Sequence, residues 1–359
     1  MLSVRDAVRN LPTYHPPLGG RVGLRLDFNE NVVGCSPRVL ARVRSINAEE
    51  LARYPEREPV ERDVAKSLNV SATELLLTNG VDEAIHLLCE AYLESGDEAL
   101  VVVPTFAMYE IFARETGARI TQVAAGGEFS FPTAAVLKHI GPNTRLVAIA
   151  NPNNPTGAAA DLEDLLKIAR AAPKAAILVD EAYYEFHGET LLGKWRECQN
   201  VFVARTFSKA YGLAGLRAGV LMGNAEQISM VRKVASPYNV NAVALACLPE
   251  ALGDSAYVDA YVGEVRAGRA LLEVALTSLG VPFWPSRANF VLMRLGEVNS
   301  AFVRRMREQG ILVRDRSRDP GCEGCVRFTL GSMEQTKKLL PILQTTLEEI
   351  GAIRPEARS

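Results

Sequence analysis

Lys209 stands just after an apolar run at 201–204, inside Thr206-Phe-Ser-Lys209, and Gly212-Leu-Ala-Gly-Leu-Arg217 follows directly. A lysine amine that loses its proton can attack a carbonyl and form an imine. Asp180 opens Asp180-Glu-Ala-Tyr183 after a second apolar run at 175–179. Asn151-Pro-Asn-Asn-Pro-Thr-Gly157 follows a third, at 145–150. Earlier, Asn79-Gly80 opens a stretch in which Val81, Ala84, Ile85, Leu88, Cys89 and Tyr92 recur at helical spacing. The first turn of that helix, Gly80–Asp82, offers unpaired N–H groups suited to a phosphate. Thr206 and Ser208 add hydroxyls, and Arg217 adds a guanidinium fork.

A phosphate cup, an imine-forming lysine and a carboxylate able to pair a ring nitrogen together describe a pyridoxal phosphate site. A charge pair at ~4 Å and an effective dielectric near 20 is worth about 4 kcal/mol. Before desolvation that would raise a ring nitrogen's pKa by roughly three units, at 1.36 kcal/mol per unit. Taken singly, each element has an ordinary explanation. Lys209 could be a solvated surface lysine, Asp180 a helix cap, Arg217 a surface ion pair and the Asn/Pro run a loop. Their joint order at successive strand ends carries the reading.

The elements that must position these residues alternate along the chain. Short Val/Ile/Leu/Ala runs at 74–78, 100–103, 145–150, 175–179 and 201–204 lack polar alternation, as expected of strands buried on both faces of a parallel sheet. Helical segments such as 161–171 supply the crossovers, which predicts a doubly wound α/β domain. In such sheets ligands sit outside the carboxyl ends of the strands, so the chemistry-bearing segments converge. After about residue 250 the rhythm changes. A long helix (255–279), strands at 289–294, 311–314 and 325–329, and a helix at 300–309 predict a smaller α+β domain. A last helix opens at the capping-box pattern Ser332-Met-Glu-Gln335, with Pro341 expected to kink it. The expected division is 30–250 for the large domain, with 1–29 and 251–359 forming the small one.

At 359 residues the chain is long for a single ordinary domain. Forty Lys plus Arg against 42 Asp plus Glu leave a formal charge of −2, which excludes nucleic-acid or membrane binding by bulk charge. No apolar run approaches the ~18 residues of a membrane span. Met1–Asp6 carries charges where a signal peptide needs its apolar core. Six scattered cysteines make a poor disulfide framework, so a cytoplasmic enzyme is expected. Other signals fail. Gly188–Lys194 fits most of a P-loop, but Trp195 replaces the metal-binding hydroxyl. No G-x-G-x-x-G follows a strand. The four histidines lack ligand spacing, and Cys322-Glu-Gly-Cys325 lacks a second pair for zinc, so no metal is expected. The basic stretch from Arg304 to Arg318 is diluted by acids and carries no interleaved aromatics for nucleic-acid stacking.

Over nearly its whole length the sequence resembles the fold type I pyridoxal-phosphate aminotransferases, and within them the histidinol-phosphate aminotransferase group. The motifs are Leu26-Asp-Phe-Asn-Glu-Asn31, Arg53-Tyr-Pro55, Thr78-Asn-Gly-Val-Asp-Glu-Ala84, Pro104-Thr-Phe-Ala-Met-Tyr109 and Asn151–Gly157. Asp180–Tyr183, Ser208–Arg217, Ile311–Asp315 and Val326–Gly331 complete them. The resemblance implies that Lys209 carries the cofactor and shuttles the proton, and that Asp180 pairs the ring nitrogen. It implies that Asn153 and Tyr183 bind the phenolic oxygen and that Phe106 stacks on the ring. Gly80, Val81 and Asp82 would lie around the cofactor, with Thr206, Ser208 and Arg217 on its phosphate. Tyr54 would reach the neighbouring subunit's phosphate site, implying a homodimer. Tyr14, Arg314 and Arg327 would face the substrate, the two arginines meeting the donor's phosphate or the acceptor's carboxylate.

The implied reaction is histidinol phosphate plus 2-oxoglutarate giving imidazole acetol phosphate plus glutamate, a step of histidine biosynthesis. Alternatives are an aromatic or other amino-acid aminotransferase and a threonine-phosphate decarboxylase-like lyase. A cofactor-sensing regulator would need a separate DNA-binding module, whereas only about thirty residues, broken up by Pro12, Pro16 and Pro17, precede the first motif. Val32 and Cys35 stand where the family usually has prolines, which predicts a looser N-terminal cover. Phe106 replaces a frequent Tyr and keeps only the stacking face.

Overall fold

The computed structural model describes residues 2–13 and 19–354. After the short strand β1 (Leu24–Arg25), the chain lays down β2 (Leu75–Thr78), β3 (Glu98–Val103), β4 (Arg119–Ala124) and β5 (Thr144–Ala150). Then come β6 (Ala176–Asp180), β7 (Val201–Thr206) and β8 (Gly219–Gly223). Strands β2 to β8 form one seven-stranded sheet in the order β2-β8-β7-β6-β5-β3-β4. Five of them, β3 to β7, run parallel, whereas β8 is antiparallel to both of its neighbours.

Alternation along each strand explains why the sheet is covered twice. Leu75, Leu77, Ile177, Val179, Val201 and Val203 face one apolar layer, with residues of helices Glu58–Ser67, Leu162–Ala171 and Ala242–Leu252. Leu76, Leu178, Phe202 and Ala204 face the other, with helix Gly80–Tyr92. Both residue sets being apolar, the strands read as continuous hydrophobic runs. Strands β4 and β8 gave no such signal. β4 lies at the sheet edge with polar residues along it, and β8 is a five-residue strand bounded by glycines.

The C-terminal part builds a four-stranded antiparallel sheet from β9 (Phe283–Trp284), β10 (Phe290–Arg294), β12 (Arg314–Asp315) and β13 (Cys325–Thr329), in the order β12-β13-β10-β9. Helices Ser255–Ser278, Asn299–Glu308 and Met333–Glu349 share its core, which includes Phe290, Phe302, Phe328 and Leu343. The last helix begins at the expected capping box and runs on through Pro341 as one element. Pro341 is exposed, so water can take the carbonyl that its missing N–H frees. The expected strand 311–314 divides in two: β11 (Ile311–Leu312) pairs in parallel with β1 as a separate two-stranded sheet, while Arg314 opens β12. The Thr329 N–H donating to the Leu26 carbonyl ties the N-terminal segment to β13.

One ion pair deep in the larger unit bears on stability. Arg205 donates from Nε and Nη2 to Glu181 at 3.0 and 2.9 Å, and its guanidinium lies 3.5 Å over the Tyr184 ring. Glu181 also accepts from Thr190 and the Leu191 N–H. Replacing Arg205 by Met leaves a buried carboxylate uncompensated, so denaturant unfolding should show a loss of about 3–5 kcal/mol. Adding Glu181→Leu should recover most of it.

Candidate active site

Lys209, Asp180 and the Asn/Pro loop lie at the carboxyl ends of β7, β6 and β5, three adjacent parallel strands. Lys209 occupies the loop after β7, where its Nζ donates to the Phe28 carbonyl at 3.1 Å. Burial, and the Arg327 charge after it, push the Lys209 amine down to about 8, against the opposing pull of Glu30 and Asp82. The neutral amine needed for attack is therefore accessible near physiological pH. In the cofactor-free protein, reductive methylation of Lys209 by formaldehyde and borohydride should quicken through about pH 8, whereas exposed lysines respond near the usual ~10.4. Peptide mass analysis across pH checks this, and a Lys209 that follows the surface lysines refutes it.

Asp180 closes β6 with its carboxylate enclosed. Its Oδ2 accepts from Tyr109 Oη at 2.6 Å and its Oδ1 from the Ala182 N–H at 3.0 Å. Burial raises its pKa to about 6 while these two hydrogen bonds hold it down. Tyr109 was missed as a site residue, although it sits three positions after Phe106, in the first turn of helix Met108–Thr116. The Phe106 and Tyr109 rings meet edge to face at 5.8 Å, so one tyrosine braces both the carboxylate and the aromatic wall.

At the start of helix Gly80–Tyr92, Arg217 donates to Asp82 at 3.0 Å. Gly80 has φ +80°, and a Cβ there would come within 2.6 Å of Arg217 Nη2, so only glycine lets the guanidinium approach. Arg217 itself is held at φ 54°, a strained position of the kind that gathers at functional sites. Thr206 Oγ1 accepts from the Ser208 N–H at 3.1 Å, while the Ser208 hydroxyl has no protein partner among the described residues. Thr78 Oγ1, at the end of β2 across β8 from Thr206, is buried without one. The Arg217 guanidinium, spare hydroxyls and free helix N–H groups fit a phosphate ester at this end. A buried carboxylate that is anionic above about pH 6 fits a protonated ring nitrogen at the other.

The loop after β5 departs from expectation. Asn153 spends its whole amide inside the loop: Oδ1 accepts from Thr105, and Nδ2 donates to the Pro104 carbonyl and Thr156. The next amide reaches the site instead, with Asn154 Oδ1 accepting from Arg327 Nη1. The backbone closes tightly here, Asn153 N–H to the Ala158 carbonyl and Gly157 N–H back to Asn153, so adjacent asparagines serve different partners. The resemblance implies Asn153 for the phenolic oxygen, and its amide is taken up by the loop instead. Tyr183 is buried, and its hydroxyl accepts from Asn29 Nδ2 at 2.9 Å. Asn29 had no assigned role, and its φ of 56° is invisible to composition.

Arg314 on β12 stands opposite Arg327 on β13 in the antiparallel register. Arg327 is buried, donating to the Asp27 carbonyl as well as Asn154. Burial and the Arg316 and Arg314 charges depress its pKa against the opposing pull of Tyr183 and Asp319, and the acid Asp319 is itself paired with Arg316. Such a site calls for an anion. Tyr54 is 77% exposed and stacks on Tyr238 at 4.2 Å, away from any role within the single chain. Tyr14 lies outside the described residues.

The segment carrying Val32 and Cys35 is anchored by Asn31, which donates to the Ala210 carbonyl and accepts from the Val33 and Gly34 N–H groups. Among the described residues no group of His, Cys, Asp and Glu is arranged to hold a metal, and no helix is long and apolar enough to cross a membrane.

Comparison with known proteins adds four findings. The family profile described as Aminotransferase class I and II matches residues 22–343. Histidinol-phosphate aminotransferase 1 of Nostoc sp. is 34% identical over 341 residues, 94% of this chain and 95% of that protein. Among solved structures, histidinol-phosphate aminotransferase from Sinorhizobium meliloti, in complex with pyridoxal-5'-phosphate, superposes with a TM-score of 0.87 at 24% identity, covering 97% of this chain and 98% of that one. L-threonine-O-3-phosphate decarboxylase from Porphyromonas gingivalis reaches 0.79, also at 24% identity, covering 90% and 99%. At those identities the two structures speak for the fold alone.

Proposed function

Because the chain belongs to the class I and II aminotransferases, we propose that it moves the amino group of histidinol phosphate to 2-oxoglutarate, yielding imidazole acetol phosphate and glutamate, with pyridoxal phosphate as cofactor. The observation that carries the donor is the side-by-side pair Arg314 and Arg327 on β12 and β13, two guanidiniums suited to a phosphate. The same pair accepts a carboxylate when the keto acid takes the donor's place. The proposal agrees with the name that the 34%-identical relative bears.

Bound pyridoxal phosphate supplies the carbonyl that takes up the amino group and an electron-withdrawing ring. Gly80, Val81, Asp82, Thr206, Ser208 and Arg217 would hold its phosphate end. Asp180, fixed by Tyr109, would keep the ring nitrogen charged, with Phe106 on the ring face and Tyr183 and Asn154 toward its oxygen. Lys209 would anchor it, and once released would take the donor's α-proton on Nζ. Arg314 and Arg327 orient the donor so that this proton faces the amine, which shortens the search for a reactive geometry.

The exposed Tyr54 stacks on Tyr238, itself exposed, and this aromatic pair on the surface supports a homodimer with Tyr54 entering the partner's site. Six free cysteines suit a reducing compartment, and we place the enzyme in the cytoplasm. We also place the division between the larger and smaller parts at residues 30 and 250.

The test is a half-reaction. Cofactor-loaded protein mixed with histidinol phosphate, without acceptor, should lose the visible absorbance of the lysine-bound cofactor rapidly and saturably. Absorbance that responds to aromatic amino acids instead overturns the donor. Release of CO₂ from threonine phosphate without a keto acid would replace transamination by a lyase.

A further inference from the structure

Arg314 presents a puzzle of charge. It faces Arg327 across the strand pair, and Arg316 is two residues on. Like charges placed directly opposite destabilise a strand pair and push long side chains apart. Arg327 is tethered by Asn154 and the Asp27 carbonyl. Arg314 has no salt bridge and no side-chain hydrogen bond among the described residues. What it does have is an aromatic ring, its guanidinium carbon lying 5.2 Å from the centroid of Phe28.

The acids in its surroundings are taken by other arginines: Asp319, which feels the Arg314 charge, is paired with Arg316. Asp27 receives both Nε and Nη2 of Arg21, at 3.1 and 2.8 Å, and Glu30 receives Arg21 Nη2 at 2.7 Å. That same Arg21 lies 4.3 Å over the Phe28 ring. One ring thus serves two guanidiniums, of which only Arg21 is neutralised by acids. A ring quadrupole attracts a cation without cancelling its charge. Arg314 is held in place yet keeps a full charge for an incoming anion.

The ring's own position is fixed by the backbone on either side. The Leu26 N–H donates to the Leu312 carbonyl at 2.8 Å, and the Thr329 N–H donates to the Leu26 carbonyl at 2.9 Å. The Asn29 N–H donates to Thr329 Oγ1, and Asn289 donates to the Asn29 carbonyl. The Phe28 carbonyl meanwhile accepts from Lys209.

We propose that Phe28 is a positioning residue that sets Arg314, and that its ring favours substrates carrying a phosphate or carboxylate remote from the reacting amine. This deepens the proposed function, and its bearing on donor choice rests on that reading. The main-chain contact to Lys209 is independent of the side chain, so ring and carbonyl can be separated by mutation.

The experiment compares Phe28→Leu and Phe28→Tyr in the cofactor-loaded enzyme, whose cofactor-phosphate cup is already filled. Inorganic phosphate is the probe. Loss of a partly desolvated cation–π contact should weaken phosphate binding about tenfold in Phe28→Leu, with less than about a twofold change in Phe28→Tyr. In parallel, the Nε–Hε resonance of Arg314 in arginine-labelled protein, assigned through Arg314→Lys, should lose its ring-current shift in Phe28→Leu and keep it in Phe28→Tyr. Phe28→Met takes the place of Leu if that variant does not fold. Unchanged phosphate affinity and an unmoved Arg314 resonance overturn the proposal. Neither readout needs histidinol phosphate to be turned over, so a wrong donor in the half-reaction leaves this test standing.

Discussion

Lys209→Ala should lower turnover by about 10⁴-fold or more while leaving the cofactor's phosphate contacts in place. Positioned proton transfer alone is worth about 10²–10⁴-fold. Lys209 is also the group that would anchor the cofactor covalently, so two functions go together. The structure gives it no substitute: the other charged groups that act on its amine are Arg327, Glu30, Asp82 and Arg217, none of them an amine. Steady-state rates and equilibrium dialysis with pyridoxal phosphate check the two halves separately. A variant that keeps rates within tenfold of the parent would remove Lys209 from the mechanism. A small added amine should restore part of the lost rate, because a diffusible base can enter the space the side chain leaves.

Asp180→Asn should cost about 10³-fold in kcat/KM. The estimate follows from the ~4 kcal/mol of a charge pair at 4 Å in an effective dielectric near 20. An amide cannot hold the ring nitrogen protonated, and the Tyr109 hydroxyl would then face a neutral acceptor. Stability moves the other way. In the cofactor-free protein Asp180 titrates near 6 because burial disfavours its charge. An unfolded aspartate titrates near 3.9, so between about pH 4 and 6 the folded state binds more protons and stability falls as pH rises. The penalty is complete above pH 6 and absent below pH 4. Asp180→Asn removes it, so the cofactor-free variant should be more stable than the parent by about 1–3 kcal/mol at pH 7, the difference fading toward pH 4. Denaturant melts at the two pH values decide it, and a variant less stable at pH 7 refutes the assignment of strain to that carboxylate. Loss of activity with gain of stability marks a residue kept for function.

Much of the architecture was legible in the chain. Strands β3, β5, β6 and β7 announce themselves because both faces are covered, which demands unbroken apolar runs. The places of Lys209 and Asp180 followed, since residues at the carboxyl ends of parallel strands share one edge. Arg327 fell on the strand recognisable as 325–329, whereas the expected strand 311–314 divides at Val313 between two sheets, so that Arg314 opens β12 beside Arg327, a neighbourhood nothing in the spacing showed.

What the tertiary structure alone decided is which way side chains turn where the backbone is irregular. Asn153 and Asn154 are identical in type and adjacent in sequence, yet only the second meets Arg327, because the loop's own hydrogen bonds consume the first. Phe28, Asn29 and Tyr109 gain their importance from partners 286, 300 and 71 positions away, at Arg314, Thr329 and Asp180. Periodicity reports the local environment of an element, one face at a time. Contacts between irregular segments depend on how whole layers settle against each other, and that is fixed by packing energy summed over the fold rather than by any short stretch of chain.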